Sequence, residues 1–272
     1  MKRFLHDKLA VVSVILLVLI IAACVFAPFL TNYDYSKMEP KGSLLPPGDE
    51  HILGTDKLGR DTFSRILYGG RITLNVTATA VLISLIGIIP GMLAGYYGGK
   101  IDALISRIDD VLTAIPTFLL VIFAECLFGW GSGNYKYAIG VALLPPVVKL
   151  TRSLVQNIVS GEYITAAKVL GVSDIVIMFR HVLRNILPSL IVFLFHTAAD
   201  ALMLCTVMGY LGIGVQPPKP EWGMLVHTGY AHIMSHPLQA VFPCIPIVIS
   251  ILALNTLGNS VRDAFDAERR AK

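Results

Sequence analysis

From Leu9 to Phe29 the chain carries no charged side chain. A helix of about twenty residues, rising about 1.5 Å at each, is long enough to cross a hydrocarbon layer about 30 Å thick. No other feature restricts the fold so tightly, because a backbone in lipid has no water to bond and must close its hydrogen bonds within helices or a barrel. Ile21-Ala22-Ala23-Cys24 has the pattern of a lipoprotein processing site. The run nevertheless stays apolar beyond it through Val25, Phe26, Ala27, Phe29 and Leu30, and further runs follow, so a permanent span is expected.

Those further runs lie at residues 74–97, 111–128, 137–148, 188–213 and 240–257, which predicts six transmembrane helices in an all-α integral membrane protein. The fourth is short and meets Pro145-Pro146, where a tilt, kink or break is expected. With 55% hydrophobic and 15% charged residues and a mean hydropathy of +0.70, the chain has more apolar surface than one soluble core could hide. The net charge of +4 is spread among connecting segments without interleaved aromatics, which gives nucleic-acid binding no support. Cys24, Cys126, Cys205 and Cys244 fall in apolar stretches without metal-type spacing, so neither a disulfide framework nor a zinc site is indicated.

Lys2, Arg3 and Lys8 precede the first span and place the N-terminus in the cytoplasm. Six spans then return the C-terminus there, and lysines and arginines on the expected cytoplasmic side outnumber those outside. The chain divides into residues 1–70, a first helix and external segment, residues 71–259, the transmembrane domain, and residues 260–272, a cytoplasmic tail. In the external segment Asp61 is expected to cap a short helix and pair with Arg65, with Gly69-Gly70 ending that helix before the membrane. A second outer loop follows the fifth span, where Trp222 is expected at the membrane interface.

Residues 160–188, SGEYITAAKVLGVSDIVIMFRHVLRNILP, form a charged island between the fourth and fifth spans. Gly171 can end one helix in a left-handed conformation and Ser173 can cap the next, giving a helix-turn-helix outside the bilayer. Such an element is either a solvated connector or a docking surface for a soluble partner. Thr165-Ala166-Ala167, followed after three residues by Gly171, resembles the "EAA" loop of binding-protein-dependent ABC importer permeases. Arg180-His181-Val182-Leu183 with Asn185 resembles its continuation in the peptide/nickel branch. Thr165 stands in place of the motif's Glu, and Arg184 where a Pro usually follows.

Three more blocks resemble the same branch in order: LGTDKLGRDTFSR from Leu53, YLGIGVQPPKPEWGML from Tyr210, and Asn255 to Asp266. The resemblance implies the type I ABC importer permease fold with a cytoplasmic coupling helix, here carrying Glu162, Thr165, Ala166, Ala167, Gly171, Arg180 and His181. It further implies a multi-pass protein of a bacterial or archaeal cell membrane. The implied partners are a second homologous permease, two cytoplasmic ATP-binding subunits and an extracytoplasmic solute-binding protein. An ATPase-independent channel or ion-coupled carrier is the alternative, and it predicts transport by this chain alone.

No G-x-x-x-x-G-K-[ST] occurs, so no phosphate-cradling loop is present, and no cofactor bound by this chain is expected. Neither H-E-x-x-H nor G-x-S-x-G occurs, and the chain reads as a transport subunit rather than an enzyme. Ionisable groups at membrane depth are costly unless they meet a partner or water, which singles out Glu125, His196 and Asp200. His196, Asp200 and Met203 share one helical stripe. That stripe reads as a His–Asp hydrogen bond to a neighbouring span, as the lining of the substrate path, or as a transient metal contact, and no metal site is assigned. Outside, His232 and His236 are one turn apart with His227 nearby; such a pair can touch a metal but is more often solvated. Peptide-carrying family members often have a Glu near the position of Cys205, and none is near it in this sequence. The sparse His, Asp and Met residues therefore tilt the reading toward nickel or a metal chelate over di- or oligopeptides.

Overall fold

The computed structural model describes residues 7–128 and 134–270; the charges read at Lys2 and Arg3 lie outside them. Among the described residues the protein is helical, with no strand beyond an isolated bridge between Thr55 and Asp61. Helix α1 (Lys8–Val25) is capped by Asp7, whose carboxylate accepts from Leu9 N and from Ser260 Oγ at 2.6 Å. That bond to Ser260 holds the Asp7 carboxyl below its usual range. A short turn, α2 (Ala27–Leu30), leads into an irregular segment. Helices α3 (Thr62–Ser84) and α4 (Ile88–Tyr97) are joined by a tight turn into one apolar run of 36 residues.

Gly69 and Gly70 do not end α3. A Cβ at Gly70 would stand 2.3 Å from Cys24 Sγ and 2.6 Å from Trp222 Cζ2, so the missing side chain lets α1 and Trp222 close on the helix. Asp61 caps α3 through Ser64 N, as expected, but pairs with His51 at 2.9 Å. Arg65 instead reaches Asp56 at 3.5 Å, beside Arg60.

The third predicted span is broken. Helix α5 (Gly99–Thr113) and α6 (Thr117–Phe128) meet at 89°. Pro116 removes a backbone donor and disfavours helical geometry at Ile115, which accounts for the break. Among the described residues five helical runs are therefore long and apolar enough to span a membrane, and there is a sixth only if this bent pair counts as one.

The fourth span is longer than its apolar stretch. Helix α7 (Tyr135–Ala142) passes into α8 (Leu144–Val159) as a run of 25 residues, and the two prolines sit in the first turn of α8, where their lost donors cost little. The charges on α8 are paired: Arg152 with Asp102 and Lys149 with Asp110, both on α5. Gly87, just before α4, and Gly91 and Gly95 within it recur every fourth residue against α8. A Cβ at Gly91 would come 2.7 Å from Val148 O, and one at Gly95 2.7 Å from Arg152 O, so the two backbones touch.

Helix α9 (Glu162–Val169) and the short α10 (Asp174–Val176) follow. A wide π-type turn, Ile177–Leu183, then leads into α11 (Arg184–Tyr210) without a break, so residues 174–210 form one 37-residue run. Pro188 lies inside that helix rather than at the start of a span. The chain closes with α12 (Trp222–Tyr230) and α13 (Leu238–Arg270). Three apolar clusters hold the bundle: one joins α3, α6, α7 and α11, another α4, α8, α9 and α11, and a third α1, α3, α11, α12 and α13. Trp222 belongs to the last; it is fully buried and donates to Ile66 O at 2.9 Å, so it is a core residue and not an interface anchor.

Candidate functional site: a docking lobe and the face above it

The charged island folds into a lobe at one end of the bundle. Glu162 opens α9 and Lys168 lies in its last turn, each favourable toward the helix dipole. The helix ends as the glycine requires. Gly171 has φ +78°, its N–H donates to Lys168 O at 3.0 Å, and Val172 N–H donates to Ala167 O at 3.1 Å. Both bonds satisfy carbonyls that a helix end leaves open, and the left-handed residue makes the reversal. Ser173 takes the expected N-cap position in extended backbone, but its hydroxyl makes no capping bond. The second half of the island is thus the foot of the α11 run, not a separate helix.

Ile164, Ile177, Met178 and Val182 face inward onto Met92, Tyr96 and Val155. The opposite rim is apolar and bare. Val169 is 83% exposed, Leu170 82%, Ile175 65% and Phe179 61%. Exposed apolar patches of this kind are characteristic of surfaces that contact another protein or lipid. Thr165 and Ala166 are exposed with them, whereas Ala167 is partly buried against the lobe's own core. Arg180 is exposed on the π-type turn, and the carbonyl of the half-buried His181 accepts from Asn185 at 2.7 Å. The expected coupling residues are therefore brought together on one lobe, with Ala167 turned partly inward.

Tyr96, at the foot of α4, is the residue that the sequence did not mark. Its hydroxyl bonds to Asp174, and Lys168 Nζ lies 4.7 Å above its ring, so one side chain grips both halves of the lobe.

Higher on α11 the predicted stripe is real but differently paired. His196 Nδ1 bonds to Asn255 Oδ1 on α13 at 2.8 Å, not to Asp200. Asp200 is exposed and Met203 is 56% exposed, so this part of the stripe, unlike His196, has no intramolecular cover. His196 also lines a cavity of about 330 Å³ with Arg262 near the lobe end. Glu125 is elsewhere: it sits on α6, 1% exposed, and neither carboxylate oxygen has a partner among the described residues. No group of three His, Cys, Asp or Glu side chains able to hold a metal occurs among the described residues, and His236 bonds to Ser235.

Although no acid lies near Cys205 in sequence, the fold delivers one. Glu221 is fully buried 3.7 Å from Cys205 Sγ and accepts from Thr73 Oγ1, Gly223 N and Met224 N. Burial pushes its carboxyl up to about 7 against the pull of those donors.

The comparisons with known proteins say to which class this bundle of five to six apolar spans, with its exposed apolar lobe, belongs. The family model "binding-protein-dependent transport system inner membrane component" matches residues 85–271, and "N-terminal TM domain of oligopeptide transport permease C" matches residues 1–47. This chain belongs to that family of inner-membrane permeases and is the permease subunit of a binding-protein-dependent ABC importer.

It is 38% identical to the dipeptide transport system permease protein DppC of Alkalihalophilus pseudofirmus, covering 99% of this chain and 89% of that one. The glutathione transport system permease protein GsiD of Pectobacterium atrosepticum is 36% identical, covering 99% and 90%. The oligopeptide transport system permease protein OppC of Bacillus subtilis is 34% identical, covering 99% and 89%. In fold the chain is similar to the inward-facing MetNI methionine ABC transporter, with TM-score 0.53 and 18% identity over 72% of this chain and 95% of that one.

Proposed function

We propose that this chain is the second of two permeases in an importer of di- or oligopeptides. In this reading the lobe end faces the cytoplasm, the translocation path runs between this chain and a homologous permease, and a solute-binding protein delivers substrate at the opposite end. Two ATP-binding subunits hydrolyse the nucleotide, since this chain lacks a phosphate-cradling loop. The open α11 stripe, with Asp200 and Met203, faces the path, and Glu125 does not. The names of the relatives, which print dipeptide, oligopeptide and glutathione, favour a peptide over nickel or a metal chelate.

One observation carries the coupling: the exposed apolar rim of the lobe is fixed by the Gly171 turn and by Tyr96 to the foot of a spanning helix. A partner that binds the lobe differently in its ATP-bound and ATP-free states thereby biases which end of the path is open.

The test is to replace the rim without touching the lobe's own core. Leu170→Asp and Val169→Asp place a charge where an ATPase groove would close, at a cost of about 3 kcal/mol of association or roughly 150-fold in affinity. Gly171→Val forces a β-branched residue to positive φ, although its Cβ would meet nothing within 4 Å. All three variants are expected to reach the membrane, to fail to co-purify with the ATP-binding subunits and to abolish ATP-dependent uptake. Normal co-purification and uptake by all three would reduce the lobe to a solvated connector.

A further inference from the structure

At the end of the bundle opposite the lobe, the loop after α11 closes over the middle of α3, from Tyr68 to Val76, and the first turn of α7 around a cavity of about 620 Å³. Its lining is cationic. Arg71, Lys136 and Lys219 face it, no aspartate or glutamate does, and none of the three makes an ion pair among the described residues. Tyr35, Tyr68 and Tyr135 supply aromatic walls. The Arg71 guanidinium lies 5.7 Å from the Tyr68 ring centre, and Lys136 Nζ lies 5.0 Å from that of Tyr137.

The walls are held in place. The buried Arg65 donates from Nη1 to Tyr35 O at 3.0 Å and to Pro218 O at 3.5 Å, tying the two rims together, and prolines at 217, 218 and 220 stiffen one of them. A concavity of this size suits a small molecule. Cations without an ion-pair partner, gathered on one concave surface, focus a field that attracts an anion, and a guanidinium held near an aromatic ring can offer a carboxylate two parallel hydrogen bonds.

We propose that this vestibule is a receiving site for the free C-terminal carboxylate of a peptide entering the path. Arg71 grips the carboxylate, Lys136 and Lys219 supply the attracting field, and the tyrosines hold the peptide's apolar groups. The assignment rests on the peptide-import reading above, and the test separates the two.

The complete importer is reconstituted in liposomes with its binding protein saturated by a tripeptide or by the same tripeptide as its C-terminal amide, so that only transfer to the membrane subunits is compared. The unaltered complex is expected to import the free acid about tenfold faster than the amide, the scale of one charge-assisted contact. Arg71→Gln with Lys136→Gln and Lys219→Gln should bring the ratio near one, and Arg71→Lys should keep part of it. Lys219→Gln alone changes an exposed loop residue and should lower the ratio by about threefold without affecting assembly. A ratio near one in the unaltered complex, or a ratio that the triple variant and Lys219→Gln leave unchanged, overturns the site while peptide import stands. If neither peptide is imported, the peptide reading fails and the site falls with it.

Discussion

The hydroxyl of Tyr96 donates to the carboxylate of Asp174 at 2.6 Å, joining the last turn of α4 to the first residue of α10. These residues are far apart in sequence, and the bond makes the position of the lobe a property of a spanning helix rather than of a loop.

Tyr96→Phe keeps the ring and its contact with Lys168 but removes that bond, at about 1 kcal/mol because Asp174 stands in solvent. Assembly with the ATP-binding subunits should survive while ATP-driven uptake falls several-fold. Tyr96→Ala, which also removes buried ring contacts, should weaken both. Equal uptake by Tyr96→Phe and the unaltered importer would show that the lobe needs no such tie.

Gly70→Val should destabilise the membrane-extracted protein by about 1–3 kcal/mol, since its side chain would collide with Cys24 and Trp222. The nearest atom is Cys24 Sγ, so Cys24→Ala combined with Gly70→Ala should recover part of what Gly70→Ala alone loses. Thermal unfolding in detergent of the single and double variants measures the coupling; strict additivity would place the contact elsewhere.

Glu221 gives stability a sign with pH. Its carboxyl is raised in the fold from 4.5 to about 7, so charging it opposes the buried state. Its contribution is most favourable below about pH 4.5 and is lost as the pH rises through about 7, by an amount of order 3 kcal/mol. Melting temperatures at pH 5 and pH 8 should differ more for the unaltered protein than for Glu221→Gln, which cannot ionise. Identical pH profiles for the two proteins would overturn the assignment.

Single cysteines at Lys168 and Lys219, introduced after the exposed Cys126 is removed, should react with impermeant reagents from opposite sides of the membrane. Labelling of both from one side would defeat the orientation proposed here.

Much of this fold is legible from hydropathy, because a span must be long and apolar whatever it packs against. The lobe is legible too, since Gly171 and its neighbours encode a local turn. The errors share one cause: they depend on what a residue meets far along the chain. Gly69-Gly70 reads as a helix end, yet its smallness serves Trp222. His196 reads as a partner for Asp200 one turn away, yet it bonds Asn255 on another helix. Glu221 belongs to a loop in sequence and to the surroundings of Cys205 in space. Only the break at Pro116 had a local signal, and the apolar residues on both sides of it concealed that signal.

The glycines at 87, 91 and 95 seat α4 directly on the backbone of α8, and α8 is in turn pinned to α5 by Arg152 and Lys149. With Tyr96 at its foot, this assembly would serve the coupling proposed above as a crank: a push on the lobe would pass to α5 through backbone contact and ion pairs. In that reading the stroke would end at the right-angled elbow of Pro116, which separates α5 from α6.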